Sequence, residues 1–236
     1  MKNKMKILVG VDEAGRGAVI GPLSITSVAI KSKDEERLAE LIRYDSKRYT
    51  QISREKIYEE ILRNKAVISY YNILIQPATI NYLMGKGVNL NVIEIKYIVS
   101  SIEKCLKDVD LNNTDITIYI DSMYRDSTKC KFHILNKLHE KFSHIGKFKI
   151  VCEHKADEKY VSVKIASIIS KVTRDREIKN LHKKYGDFGS GYPSDPKTIN
   201  FLEKISSELS NDNIYSIVRI YWKTWKKVIH DDVEKN

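Results

Sequence analysis

Residues Gly10-Val11-Asp12-Glu13-Ala14-Gly15-Arg16-Gly17 set two acids side by side at the end of an apolar run, Lys6-Ile7-Leu8-Val9-Gly10-Val11. An arginine between two glycines follows at once. Carboxylates at a strand end can hold a hard divalent cation, because rigid backbone fixes their oxygens and the strand end opens toward a cleft. Glycines let backbone N–H groups come close to a substrate, and the arginine adds a planar, charge-assisted donor fork. Cation ligands next to a polyanion-binding turn point to phosphodiester chemistry. Two more acids share the setting of the first. Asp121 ends the apolar run Ile116-Thr117-Ile118-Tyr119-Ile120, and Asp157 follows Phe148-Lys149-Ile150-Val151-Cys152 after the linker Glu153-His154-Lys155-Ala156. A lone Asp at a strand end is usually a turn or cap residue. Three of them on neighbouring strands would instead converge at one sheet edge and repel, raising one another's pKa unless a cation neutralises them. Magnesium accepts one or two such carboxylates, and two ions about 3.5–4 Å apart activate a water and steady a leaving oxygen. Glu13 is the awkward member. Adjacent strand residues point to opposite faces, so it joins Asp12 in one site only where the backbone bends.

The elements that must carry these residues follow from periodicity. Residues 6–12 and 22–30 are apolar and β-branched, with Gly15, Gly17 and Gly21-Pro22 between them, which predicts two strands joined by a functional turn. Helical spacing covers 34–43 and 53–63, the second opening at Ser53. Residues 66–76 alternate as a strand that Pro77 ends, and 91–107 place Val92, Ile95, Ile98, Val99 and Ile102 at helical spacing. Residues 116–121 and 148–152 read as strands, and 131–141 as a helix. One long helix is expected over 159–184, with an apolar stripe at Val163, Ile165, Ile168, Ile169 and Val172. Gly186, Gly189, Gly191, Pro193 and Pro196 punctuate the chain before helical segments near 197–209 and 214–227. This order indicates an α/β domain with a helical tail.

The 236 residues are 42% hydrophobic and 31% charged, a balance that suits a folded globular chain rather than a disordered one. The net charge of +10, from 41 Lys+Arg against 31 Asp+Glu, favours a polyanionic partner because neutralised phosphates release counterions. Cys105, Cys130 and Cys152 show no CxxC spacing and are odd in number, as expected of free thiols in a reducing compartment. No apolar stretch nears the roughly 20 residues of a membrane span, and Ile7 to Val11 is too short for a signal-peptide core. The expected location is the cytoplasm. The six histidines lack paired-ligand spacing; His154 alone lies inside an acidic motif, where it is a candidate to orient the acids. In Tyr221-Trp222-Lys223-Thr224-Trp225-Lys226-Lys227, tryptophans three apart favour packing, with the lysines left to reach phosphates.

The motif Asp12-Glu13-Ala14-Gly15-Arg16-Gly17 does not stand alone. Ala18-Val19-Ile20-Gly21-Pro22-Leu23 continues it, then Asp45-Ser46-Lys47, Asn89-Leu90-Asn91, Tyr119-Ile120-Asp121-Ser122 and Glu153-His154-Lys155-Ala156-Asp157. Ala166-Ser167-Ile168-Ile169-Ser170-Lys171-Val172-Thr173-Arg174-Asp175 and Gly189-Ser190-Gly191-Tyr192-Pro193-Ser194-Asp195-Pro196 complete the set. In this order and over most of the chain, the motifs resemble those of the type 2 ribonuclease H family, its archaeal-like members in particular. The resemblance implies the ribonuclease-H-like fold: a mixed five-stranded sheet flanked by helices, plus a small C-terminal helical region, divided here as 1–185 and 186–236. It implies an endonuclease that hydrolyses the RNA strand of RNA–DNA hybrids with two divalent ions, Mg2+ or Mn2+. It further implies cleavage at single ribonucleotides embedded in duplex DNA, giving 5′-phosphate and 3′-hydroxyl ends, in a monomer whose sliding-clamp partner is unknown.

By the same resemblance Asp12, Glu13, Asp121 and Asp157 are the catalytic and metal-binding set. Gly15, Arg16 and Gly17 would contact the ribose, whose 2′-hydroxyl is both donor and acceptor. Ser46 and Lys47 would contact phosphates, and Tyr160 would pack on the next sugar. The chain departs from the family pattern at Tyr160-Val161-Ser162-Val163-Lys164-Ile165, where a proline and smaller residues are common. Local packing there is expected to differ, with every catalytic acid kept. Two rivals predict other behaviour: a DNA nuclease on the same fold would cut all duplexes alike, and a dead hybrid-binding module would cut none.

Overall fold

The computed structural model describes residues 4–42, 49–122, 127–142, 148–208 and 211–233. Ser46 and Lys47, the expected phosphate contacts, lie outside the described residues. Five strands form one mixed sheet: β1 (Met5–Ala14), β2 (Leu23–Lys31), β3 (Ile68–Ile75), β4 (Thr114–Asp121) and β5 (Lys149–Glu153), in the order β3-β2-β1-β4-β5. β1, β4 and β5 run parallel. Parallel neighbours need long crossovers, and helices supply them. These are α1 (Glu35–Ala39), α2 (Gln51–Arg63), α3 (Pro77–Gly85), α4 (Leu90–Cys105) and α5 (Ser127–Lys141). The C-terminal part is helical: α6 (Ala156–Lys159), α7 (Val161–Tyr185), α8 (Pro196–Glu208), α9 (Asn211–Ile217) and α10 (Lys223–Val233). Among the described residues no helix is long and apolar enough to cross a membrane.

The chain divides into two compact units. The first comprises Met1–Glu13, Ile25–Ile73 and Glu94–Val172. Its core joins Leu8, Val28 and Ile30 of the sheet to Leu38, Ile61, Ile68, Ile165, Ile168, Ile169 and Val172. Every residue of the expected stripe on α7 is therefore buried. Gly10 of β1 is where α7 comes closest: a Cβ there would stand 2.1 Å from the Ser162 carbonyl carbon and 2.2 Å from the Val163 nitrogen. Only glycine permits that approach. β2 is buried along nearly its whole length, as a strand covered on both faces must be.

The second unit comprises Ala14–Ser24, Leu74–Ile93 and Thr173–Asn236. Val19 and Ile20 pack with Ile178, Phe188, Leu202, Ile205, Ile217, Val218, Trp225 and Val228. Trp225 thus seals a core, as its spacing from Trp222 suggested.

Several boundaries differ from expectation. Pro77 does not merely end β3; it opens α3 from the first helical turn, where its missing N–H is no loss. The helix expected at 34–43 shrinks to a single 3₁₀ turn and the five residues of α1. α2 starts before Ser53 because Thr50 caps it, accepting the Ser53 N–H at 3.2 Å. The single helix expected over 159–184 is broken at Tyr160, which is extended (φ −107, ψ 126) and stacks its ring on Tyr119 with centroids 3.9 Å apart. The segment expected over 214–227 is also two helices. Between them Val218 bridges to Ile20, and the Arg219 N–H donates to the Val19 carbonyl at 2.9 Å, so the backbone leaves its helical ladder.

Candidate active site

Asp12, Asp121 and Asp157 meet. Each offers one carboxylate oxygen to a group whose members all lie within 4.8 Å of one another. Strand register accounts for the first two: Val11 is opposite Ile120, so the next residues stand side by side, Asp121 closing β4 and Asp12 two residues before the end of β1. Asp121 is aligned in turn with Glu153 on β5. The chain then reverses through Lys155, a left-handed residue (φ 59, ψ 36), and α6 brings in Asp157. A non-glycine residue in that conformation costs about 1 kcal/mol. The Ala156 N–H ties the turn down by donating to Asp121 Oδ1 at 3.3 Å.

The electrostatics of this edge call for a cation. Asp12 is 5% exposed and Asp157 1%. Burial pushes the Asp12 carboxyl up to about 7, and the like charges of Asp121 and Asp157 push the same way; the Ser167 hydroxyl and the Lys171 ammonium oppose them. Hard oxygen donors, crowded, mutually repelling and shielded from water, fit a hard divalent ion. Glu13 is not one of the three. Its side chain is half-buried, and its N–H donates to Asp12 Oδ1 at 2.8 Å, so it steadies the Asp12 carboxylate through the backbone.

One face of α7 supports Asp12 from beneath. Ser170 Oγ donates to the Asp12 carbonyl at 3.0 Å and shares a 2.6 Å hydrogen bond with Thr26 Oγ1, which accepts from Asn72 Nδ2 at 2.7 Å. The Ser167 hydroxyl bonds the Asp12 carboxylate and accepts from Lys171 Nζ at 2.8 Å. Ser167, Ser170 and Lys171 are spaced three and four apart, hence on one face. Sequence reasoning passed over Gly10, Ser167, Ser170 and Lys171 as site residues. The signals for the three on α7 were that spacing, polar residues interrupting the stripe on a helix otherwise packed against the sheet, and their place in the motif Ala166–Asp175.

Tyr160 lies against Tyr119 near β5. Burial and the acceptance of its hydroxyl by Glu153 push its pKa up to about 12, so it stays protonated. His154 is exposed. In the second unit, Gly15 adopts φ +87 and the Ala18 N–H donates to its carbonyl at 3.3 Å, closing a tight turn over Arg16 and Gly17. A side chain at Gly15 would strike Arg174 Nε at 2.2 Å, so glycine is required for space as well as for conformation. Arg16 Nη2 donates to Asn91 Oδ1 at 2.7 Å, which holds the guanidinium in one orientation.

With this geometry in view, comparison with known proteins is direct. Residues 9–225 match the family model for Ribonuclease HII. The Ribonuclease HII of Thermoplasma volcanium is 40% identical over 231 residues, spanning 97% of this chain and 95% of that protein. Among solved structures, the ribonuclease H2 from Pyrococcus horikoshii OT3 is similar with a TM-score of 0.78 at 37% identity, covering 98% of this chain and 100% of that one. The PCNA:RNase HII complex from Archaeoglobus fulgidus is similar with a TM-score of 0.74 at 36% identity, covering 92% of this chain and 95% of that one.

Proposed function

The chain belongs to the ribonuclease HII family, endonucleases that degrade the RNA of RNA–DNA hybrids, and we propose that Asp12, Asp121 and Asp157 carry out that hydrolysis here with divalent cations. The observation that carries this reading is the meeting of three carboxylate oxygens within 4.8 Å at one sheet edge. Those three side chains would hold the ions, Mg2+ or Mn2+, with Glu13 as the fourth acid of the set. When bound, such ions would polarise the scissile phosphate and lower the pKa of an attacking water. Hydrolysis forms one P–O bond to water and breaks the P–O3′ bond. The electron pair departs on the 3′ oxygen, which takes a proton, leaving 3′-hydroxyl and 5′-phosphate ends.

Selection of RNA falls to the chain's own donors. The Gly15-Arg16-Gly17 turn offers backbone N–H groups and a fixed guanidinium to a ribose and its phosphates, where a 2′-hydroxyl can both donate and accept. Tyr160, propped flat on Tyr119, supplies a face for the following sugar. These residues, with Ser46 and Lys47 as phosphate contacts, would serve incision at a single ribonucleotide followed by deoxyribonucleotide. Residues 1–185 form the catalytic domain in this reading, and 186–236 its helical C-terminal region. The enzyme acts as a cytoplasmic monomer. The Archaeoglobus fulgidus relative is solved with PCNA, and the reading extends to a sliding clamp as partner.

The test is cleavage of matched DNA–DNA, RNA–DNA and single-ribonucleotide duplexes, each with Mg2+, with Mn2+ and with chelator. Cutting of the two ribose-containing duplexes alone, abolished by chelator and by Asp121→Asn with hybrid affinity kept, is expected. Equal cutting of all three duplexes, or full activity in Asp121→Asn, overturns the reading.

A further inference from the structure

The loop that carries Gly15-Arg16-Gly17 is held from inside the second unit by a buried arginine. Arg219 is 0% exposed. Its Nη1 donates to the Arg16 carbonyl at 3.0 Å and its Nε to the Gly21 carbonyl at 3.1 Å, so one guanidinium spans both ends of the loop. Its own N–H donates to the Val19 carbonyl at 2.9 Å, and its Cζ lies over the Trp222 ring, 5.0 Å from the centroid. Burying a guanidinium costs several kcal/mol before its partners repay it. A guanidinium kept there at that cost, with two loop carbonyls as its acceptors, is fixing a geometry.

The geometry follows from the peptide bond. Arg16 C=O and Gly17 N–H belong to one planar trans unit, so they point in opposite directions. Arg219 draws the Arg16 oxygen inward, and the Gly17 N–H is thereby aimed outward at a residue that is itself exposed. Gly17 is exposed, and a Cβ on it would meet only the Tyr192 ring, at an ordinary contact distance of 3.9 Å, so the turn is not crowded there.

We propose that Arg219 is a positioning residue for ribose selection: by clamping the Arg16 carbonyl it presents the Gly17 N–H as a fixed donor to an acceptor oxygen of the ribonucleotide. This rests on the reading above, in which the turn meets the ribose. Lysine cannot take over the clamp, because a point charge on a flexible stem does not span two carbonyls as a planar fork does.

The experiment uses the full chain in chelator, where nothing is cut, and measures the affinity of Arg219→Lys and Arg219→Gln for an RNA–DNA hybrid and for a DNA duplex of the same sequence. The expected result is about tenfold weaker hybrid binding, the worth of one charge-assisted hydrogen bond, with DNA-duplex affinity within about twofold. Affinities that fall equally, or not at all, in a folded variant overturn the proposal, since a general structural role would not separate the two duplexes. A second measurement needs no variant. In glycine-labelled wild-type protein, which has 10 glycines, the Gly17 amide resonance should shift with added hybrid and not with DNA duplex. An unresponsive Gly17 amide also overturns it. If the wild type fails to prefer hybrid over DNA, the functional reading fails instead, and the two failures are distinct.

Discussion

Replacing Asp12 with asparagine should stabilise the metal-free protein while abolishing cleavage. In the native state the Asp12 carboxyl titrates near 7, against 3.8 when unperturbed. The folded protein therefore binds more protons than the unfolded chain between those values, and its stability falls as pH rises from about 4 to about 7. Each pKa unit is worth about 1.36 kcal/mol, so the ionised carboxylate costs the metal-free fold about 4 kcal/mol at pH 8. Asp12→Asn removes that charge and keeps Oδ1 as acceptor for the Glu13 N–H, now 2.8 Å away. The new amide protons must find partners, and one left unmet takes back about 1–3 kcal/mol. A net gain of about 2 kcal/mol is expected, which for a chain of this size raises the melting midpoint by about 4–8 °C. The assay is thermal melting of wild type and variant in chelator at pH 4.5 and pH 8. The gain should appear at pH 8 and vanish at pH 4.5, where the carboxyl costs the wild-type fold only about 1 kcal/mol and an unmet amide proton takes back at least as much. Added Mg2+ should raise the wild-type midpoint and leave the variant nearly unmoved. A variant that melts below wild type at pH 8, or a difference equal at both pH values, refutes the charge-crowding argument.

Two further substitutions probe the supports of this edge. Gly10→Ala forces a methyl into the Ser162 backbone, 2.1 Å from its carbonyl carbon; β1 and α7 must part, and denaturant unfolding should show a loss of about 3 kcal/mol. Lys171→Met removes an ammonium that now opposes the charge of Asp12. The Mg2+ concentration needed for half-maximal thermal stabilisation should then fall several-fold, and an unchanged or higher requirement would show that Lys171 does not compete with the cation.

The acids were legible because a strand end is a local feature. An apolar run that stops on an Asp announces both the strand and the edge at which it stops, and parallel register then sets Asp12 beside Asp121. Other features depend on partners that sequence spacing cannot name. Tyr160 breaks a helix because Tyr119 waits to stack on it, and nothing within 159–184 encodes that partner. Residues 218–222 leave a helical pattern because Ile20, nearly two hundred residues earlier, offers a bridge. Ser167 and Ser170 look like small helix residues until the Asp12 carboxylate and carbonyl are set against them.

Arg219 is the extreme case. Among 41 basic residues in a chain of net charge +10, one more arginine in the tail reads as part of a surface for polyanions. Its burial reverses that meaning, since a guanidinium that never meets solvent cannot touch a phosphate. What it can do is hold two carbonyls a fixed distance apart. Specificity for a single hydroxyl on a ribose depends on a donor kept within a few tenths of an ångström, and a flexible basic side chain at the surface cannot keep it so. The basic surplus explains attraction to any duplex. In the proposal made above, the buried arginine and the peptide plane it orients supply the choice among them.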